Sequence, residues 1–198
     1  MAYPLSTLED KLRVKINQVA TNSNLVWQDA DLHGFINDAI KHIVRVGSIE
    51  LVQGSAYHRT NDSDGDHLTN AGSGYATKPS DYFRYVNARV DGKWVKKKIE
   101  SSEIDYISDN QYSDADTYEK YICEISGSEF FILPTNFISC MLIYLREPAD
   151  LSGSELSPLT NTGDTYMIDW AFALTLESKH YKPELAQAVF NRVNGLIK

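Results

Sequence analysis

Residues 118–148, YEKYICEISGSEFFILPTNFISCMLIYLREP, decide how this chain is expected to fold. Two runs within it, Tyr121 to Ser126 and Phe130 to Leu133, read as a hairpin joined by the turn residues Gly127 and Ser128. A third run, Ile138 to Leu145, is dense in β-branched and aromatic residues and stops at Pro148, which cannot donate to a strand ladder. Helical patterns and a polar stretch precede this segment, and only helical patterns follow it. A small sheet with helices gathered beside it is the layer arrangement this order predicts.

Working outward toward the N-terminus, Ser6 and Glu9 make a capping box, and Leu8, Leu12, Ile16 and Val19 recur at helical spacing, which predicts a first helix over 7–20. Asp29 is the expected N-cap of a longer helix reaching about Gln53, with Leu32, Phe35, Ile36, Ala39, Ile40, Ile43 and Val44 as its apolar stripe. From Gly54 to Ser80 the periodicity disappears into Gly, Ser, Asn, Asp and Thr, which predicts a loop that is flexible or ordered by a partner. DYFRYVNARV (81–90) and WVKKKI (94–99) then read as two strands joined by the Asp91-Gly92 turn, and 102–112 as a short helix or turn. Toward the C-terminus, 151–163 reads as a linker. Asp164 or Thr165 is expected to cap one helix, and Pro183 to start a last one.

The expected class is therefore α+β: a helical bundle from the N- and C-terminal helices, with a small antiparallel sheet or hairpin region inserted between them. The expected parts are an N-terminal helix pair (1–53), the flexible or partner-ordered loop (54–80), an antiparallel β region (81–150), and a linker with C-terminal helices (151–198). All of them belong to one compact domain.

Composition narrows the function. With 42% hydrophobic and 23% charged residues the chain can bury a core without staples. A net charge of −8 gives it no attraction to a phosphate backbone. The same sign suits a wall past which DNA slides without sequence-specific binding. Cys123 and Cys140 lie in expected strands without CxxC spacing and are expected to be reduced and buried. No basic-then-apolar leader and no window of 18 apolar residues is present, so the chain is expected to be soluble, with no membrane contact.

No motif carries chemistry. The NDSDGDH segment (61–67) sets Asp62, Asp64 and Asp66 beside a glycine, but it lacks the ordered ligand spacing of an EF-hand and leaves only a loose ion site open. His33, His42, His58, His67 and His180 show no zinc spacing, and GxSxG, P-loop and GxGxxG patterns do not occur. Lys96 to Lys98 could hold phosphate, yet lysines on an edge strand more often block unwanted pairing. The reading is a non-enzyme with no catalytic residue, cofactor or metal.

The order of elements resembles the head-to-tail adaptor (connector) proteins of tailed bacteriophages. The resemblance rests on Trp27, Asp29, Leu32, Ile36, Asn37 and Ala39 at the entry to the second helix, and on Pro79, Asp81 and Tyr82 at a strand entry. Leu133-Pro134 closing the hairpin, and Tyr144, Arg146 and Pro148 closing an aliphatic strand, complete it. It implies a virion structural protein at the head–tail junction, assembled in the host bacterial cytoplasm. Such a protein forms a ring, expected to hold twelve copies, that binds the portal protein, neighbouring copies of itself and downstream tail or ring proteins. Tyr57, His58, His67 and Tyr75 of the long polar stretch, Arg146, and the terminal apolar residues Val193, Leu196 and Ile197 are the candidate partner contacts. Two alternatives stay open: another phage tail or baseplate structural protein, and a metal-binding enzyme using His58 and the Asp62 to His67 loop.

Overall fold

The structure, a computed structural model, describes residues 3–19, 27–60, 68–110, 119–125, 127–178 and 182–198. In chain order the elements are α1 (Leu5–Val19), α2 (Asp29–Val46), β1 (Tyr57–Arg59), β2 (Leu68–Thr69), β3 (Tyr75–Thr77), β4 (Tyr82–Val90), β5 (Lys93–Ile99), α3 (Ile104–Asn110), β6 (Lys120–Glu124), β7 (Glu129–Leu133), β8 (Ser139–Arg146), α4 (Asn161–Ser178) and α5 (Pro183–Leu196). Single 3-10 turns occupy Ile49–Leu51, Gly54–Ala56 and Ser101–Glu103. The chain divides into two units, Met1–Ala56 with Glu147–Lys198, and Tyr57–Arg146.

The first unit is helical and built around α4. This helix buries Met167, Ile168, Ala171, Phe172, Ala173 and Leu176, and α1, α2 and α5 all pack on it. Leu8 and Leu12 of α1 and Leu32, Ile36 and Ile43 of α2 are fully buried, each contributing about 1.5–3 kcal/mol. Three local expectations shift. Helix α2 starts at Asp29 itself, one residue earlier than expected: Gln28 rather than Asp29 is the N-cap, and its N–H donates to Asp31 Oδ2 at 3.3 Å. The helix ends at Val46 rather than near Gln53 because Gly47 turns the backbone extended (φ −72, ψ 162). Glu9 does not close a capping box; its carboxylate takes Arg13 Nε (2.8 Å) and His33 Nε2 (2.8 Å), tying α1 to α2.

The segment expected to be a linker is stitched down. Gln53 Nε2 donates to Ser157 O (3.0 Å) and Leu159 O (2.6 Å), and Thr160 N–H donates to Leu51 O (2.8 Å). This brings Gly163 against Leu51. A Cβ there would lie 2.5 Å from the Leu51 carbonyl oxygen, so the close approach requires glycine.

The second unit overturns the expected fold class. In place of a small antiparallel hairpin region beside a helical bundle, this is a mixed α/β protein with an eight-stranded sheet ordered β1-β8-β4-β5-β6-β7-β3, to which β2 adds by pairing with β8. Nor is the sheet purely antiparallel, since β5 and β6 run parallel, joined by the crossover that contains α3. Leu68 of β2, Ala76 of β3, Ala88 of β4, Val95 of β5, Ile122 of β6, Phe130 of β7 and Leu142 of β8 share one core, so the sheet curls around it. On the outer face, Ile104 and Ile107 of α3 cover Ile99, Cys123, Phe131 and Leu133.

Two physical causes explain the discrepancy. Strands β1, β2 and β3 are two or three residues long, too short to show alternation, and they lie in the polar stretch read as a loop. Asn70 fixes part of that stretch: its Nδ2 donates to Thr135 O (2.7 Å) and Phe137 O (3.1 Å), and its Oδ1 accepts from the N–H groups of Gly72 and Gly74. In the first unit α4 starts at Asn161, with Thr160 O taking the Asp164 N–H at 2.8 Å, so Asp164 and Thr165 lie inside the helix rather than at its cap. Other readings of the strands and cysteines stand. The β4–β5 turn is Asp91-Gly92 with both residues at positive φ (45 and 81), β6 and β7 form the expected hairpin, and both cysteines are buried and free.

Candidate functional site

The two halves of the strand motifs meet in the second unit. Pro79 accepts the Tyr82 N–H in a tight turn (3.0 Å), which sets Asp81 at the entry to β4 beside the end of β8. From β8, Tyr144 Oη donates to Asp81 Oδ1 at 2.7 Å and Arg146 Nε pairs with Asp81 Oδ2 at 2.5 Å. Strand β1 adds His58, whose Nε2 lies 2.9 Å from Arg146 Nη2 and accepts from it. The His58 ring also packs edge-on against Tyr144 at 5.1 Å. These groups border a polar cleft of about 450 Å³ whose walls include Thr60, Lys78 and Ser80.

The arrangement positions rather than reacts. Tyr144 is 2% exposed, and burial, reinforced by its hydrogen bond to Asp81, pushes its hydroxyl up to about 12. It therefore stays protonated at neutral pH and serves as a fixed donor. The Arg146 and Asp81 side chains are 51% and 41% exposed, so their ion pair is solvated and contributes little stability by itself. What the cluster offers is a guanidinium held at the surface by Asp81 and His58, a geometry suited to a partner's carbonyl or carboxylate.

The other expected contacts separate. Tyr57 sits in β1 opposite Leu145, half-buried. Tyr75 in β3 is exposed and packs edge-on against Phe131 at 5.2 Å, apart from the Arg146 cluster in register. At the end of α5, Val193 and Ile197 are fully buried in their own unit, where Ile197 O accepts the Ser48 N–H, and only Leu196 (54% exposed) faces outward. His67 and the Asp62, Asp64 and Asp66 cluster lie outside the described residues. Among the described residues no group of three or more His, Cys, Asp and Glu side chains is placed to hold a metal, and no helix is long and apolar enough to cross a membrane.

The three lysines of β5 are engaged. Lys97 pairs with Glu103 (2.7 Å), Lys98 with Glu124 (2.6 Å), and Lys96 with Glu119. Beyond its first two residues β5 pairs only with β6, because β4 and β5 are in register only at Arg89–Trp94 and Val90–Lys93. The lysines thus guard an open strand edge.

Residues that the sequence reading left off the contact set prove central. Asp81 and Tyr144 make the cluster, and their place in the two short motifs is the signal that could have found them. Asp91 is a second node: its Oδ1 accepts from the Ile138 and Ser139 N–H groups (2.9 Å each), and its Oδ2 lies 3.9 Å from Nζ of the buried Lys120. Nothing in local sequence announces that convergence. In comparison with known proteins, residues 3–192 match the family model described as SU10 adaptor protein. No curated protein matches the chain.

Proposed function

Because the chain belongs to the SU10 adaptor protein family, and so is a structural protein of a phage, we propose that it forms a ring that binds the portal and connects the phage head to the tail. The observation that carries the reading is the family match, which spans nearly the whole chain rather than one unit. The meeting of Asp81, Tyr144 and Arg146 supports it, since the motif positions that resemble adaptor proteins form one cluster at the surface.

In this reading the protein acts through contact and has no catalytic step. Neighbouring copies, the portal and a downstream tail or ring protein are its partners, and each contact is a modest patch repeated around the symmetry axis. Arg146, His58, Tyr57, Tyr75 and Leu196 are the contact side chains proposed from the set read in the sequence. The acidic surface, with net charge −8, lets DNA pass without adhering.

Mass photometry of the purified chain, alone and mixed with the portal of the same phage, tests the proposal. Rings alone, or a monomer that becomes a ring on the portal, are expected. A chain that stays monomeric with the portal across a range of salt concentrations refutes it.

A further inference from the structure

We propose that the outer face of β1, β8 and β4 is a docking surface for an acidic protein segment, whose carboxylates pair with Arg59, Arg84 and Arg89. The inference goes beyond the ring reading and does not depend on it, since it names a surface and the chemistry of what that surface takes.

The sheet fixes where these side chains point. Ala88, Val90, Cys140, Leu142 and Tyr144 belong to the core, so the residues alternating with them in β4 and β8 face outward. Arg89 stands opposite Met141 of β8 on one side and Trp94 of β5 on the other, and Arg84 stands opposite Leu145. Strand β1 sets Arg59 opposite Ile143, with its Nε 2.7 Å from Met141 Sδ. Strand spacing puts the three arginines within an area of about 14 Å by 10 Å. Arg59 and Arg89 are exposed, Arg84 is half-buried, and Trp94 at the margin is 54% exposed.

The charge on this face is not compensated from within the chain. Acidic residues outnumber basic ones by 27 to 19, and Lys78, Lys96, Lys97, Lys98 and Lys120 of the same unit each have a carboxylate partner. Arg59 and Arg89 have no carboxylate partner among the described residues; their Nε groups meet Met141 Sδ and Gly92 O. No acidic residue stands in the cross-strand rows that carry the three arginines. In a chain with surplus carboxylates, neighbouring guanidinium groups left without one are placed for carboxylates brought by another molecule.

Two features select a protein carboxylate over a nucleic-acid phosphate. The arginines lie among Met141, Ile143 and Trp94, and Arg, Met and Trp are enriched where proteins meet. The positive area is also small. A DNA duplex laid across it runs on over a chain of net charge −8, whereas a short acidic segment does not.

The test titrates the full-length chain into fluorescein-labelled octaglutamate and, separately, into a labelled 12-base-pair DNA duplex. Binding is read by anisotropy at low salt, and folding of each variant is checked by circular dichroism. Octaglutamate is expected to bind the wild-type chain more tightly than the duplex does. The double variant Arg59→Gln/Arg89→Gln is expected to bind the peptide about tenfold more weakly. Lys93→Gln removes one charge from the other face of β5 and is expected to leave peptide binding within about twofold of wild type. Absence of peptide binding, undiminished binding by the double variant, or an equal loss in Lys93→Gln overturns the proposal. Tighter binding of the duplex, lost in the same double variant, overturns it as well by assigning the face to phosphate.

Discussion

Asp169 holds three helices of the first unit together, and its replacement makes a quantitative test. The carboxylate sits on α4 with only 8% exposure, between Lys15 of α1 and Arg192 of α5, whose Nη2 lies 2.7 Å from Oδ2. Burial, together with the nearby Arg192 charge, pushes the Lys15 ammonium below the usual lysine range, and the Asp169 carboxylate contacts both cations. A hydrogen bond to a charged group contributes about 1.5–3 kcal/mol. Lys15 and Arg192 are 36% and 58% exposed, so solvent screening lowers each contribution toward about 1–1.5 kcal/mol. Asp169→Asn should therefore destabilise the protein by about 2–3 kcal/mol. For a chain of this size that corresponds to a fall in Tm of roughly 4–12 °C. Urea titration followed by tryptophan fluorescence measures the change, and the cycle with Lys15→Met and Arg192→Met isolates the coupling. A loss below about 0.5 kcal/mol for Asp169→Asn, with additive single substitutions, would refute the clamp.

Three further outcomes follow from particular contacts. His42 stacks on Trp170 at 3.6 Å and donates to Asn194, and burial, with a smaller contribution from Arg45, holds its imidazole below the usual histidine range. The unfolded chain therefore takes up a proton more readily, so stability is present above about pH 6.5 and declines as pH falls below it. Urea midpoints at pH 7.5 and 5.5 should differ less in His42→Phe than in wild type. Gly163→Ala should cost about 1–3 kcal/mol because its Cβ meets the Leu51 carbonyl oxygen, whereas Gly34→Ala on α2, with nothing within 4 Å, should stabilise by about 0.5–1 kcal/mol, both read by thermal melting. Tyr144→Phe should cost about 1 kcal/mol through the lost hydrogen bond to Asp81 and should loosen β1, seen as faster exchange of the Thr60 amide, which donates to Leu142 O at the end of that strand.

The helices were legible because long apolar stripes survive any tertiary context. Leu8, Leu12 and Ile16 of α1, and Leu32, Ile36, Ile40 and Ile43 of α2, face the core as their spacing predicts. The strands around the Asp91-Gly92 turn and the Tyr121 to Leu133 hairpin were legible from their β-branched and aromatic content and from the turn residues between them, since none of them is buried on strictly alternate residues. Strands β1 to β3 were not, since Leu68 and Ala76 are their only buried residues and they are held by pairing with β8 and β7, which local sequence cannot reveal. The parallel β5–β6 pair was equally hidden, because two consecutive strands separated by a short helix look the same in either direction until the partners are known. At the site, Arg146 and His58 were expected as contacts and come together, but their carboxylate partner Asp81 lies 65 residues from Arg146 in sequence. For Val193 and Ile197 an apolar last helix reads the same whether it docks on a partner or within its own unit, where both side chains are buried here.

The central claim is a position in the particle. A cryo-EM reconstruction of the head–tail junction, with the chain's two units fitted as separate bodies, tests it most directly. A ring of density directly beneath the portal that accommodates both units is the predicted result. Density for this chain confined to the baseplate or distal tail, with none against the portal, would contradict it.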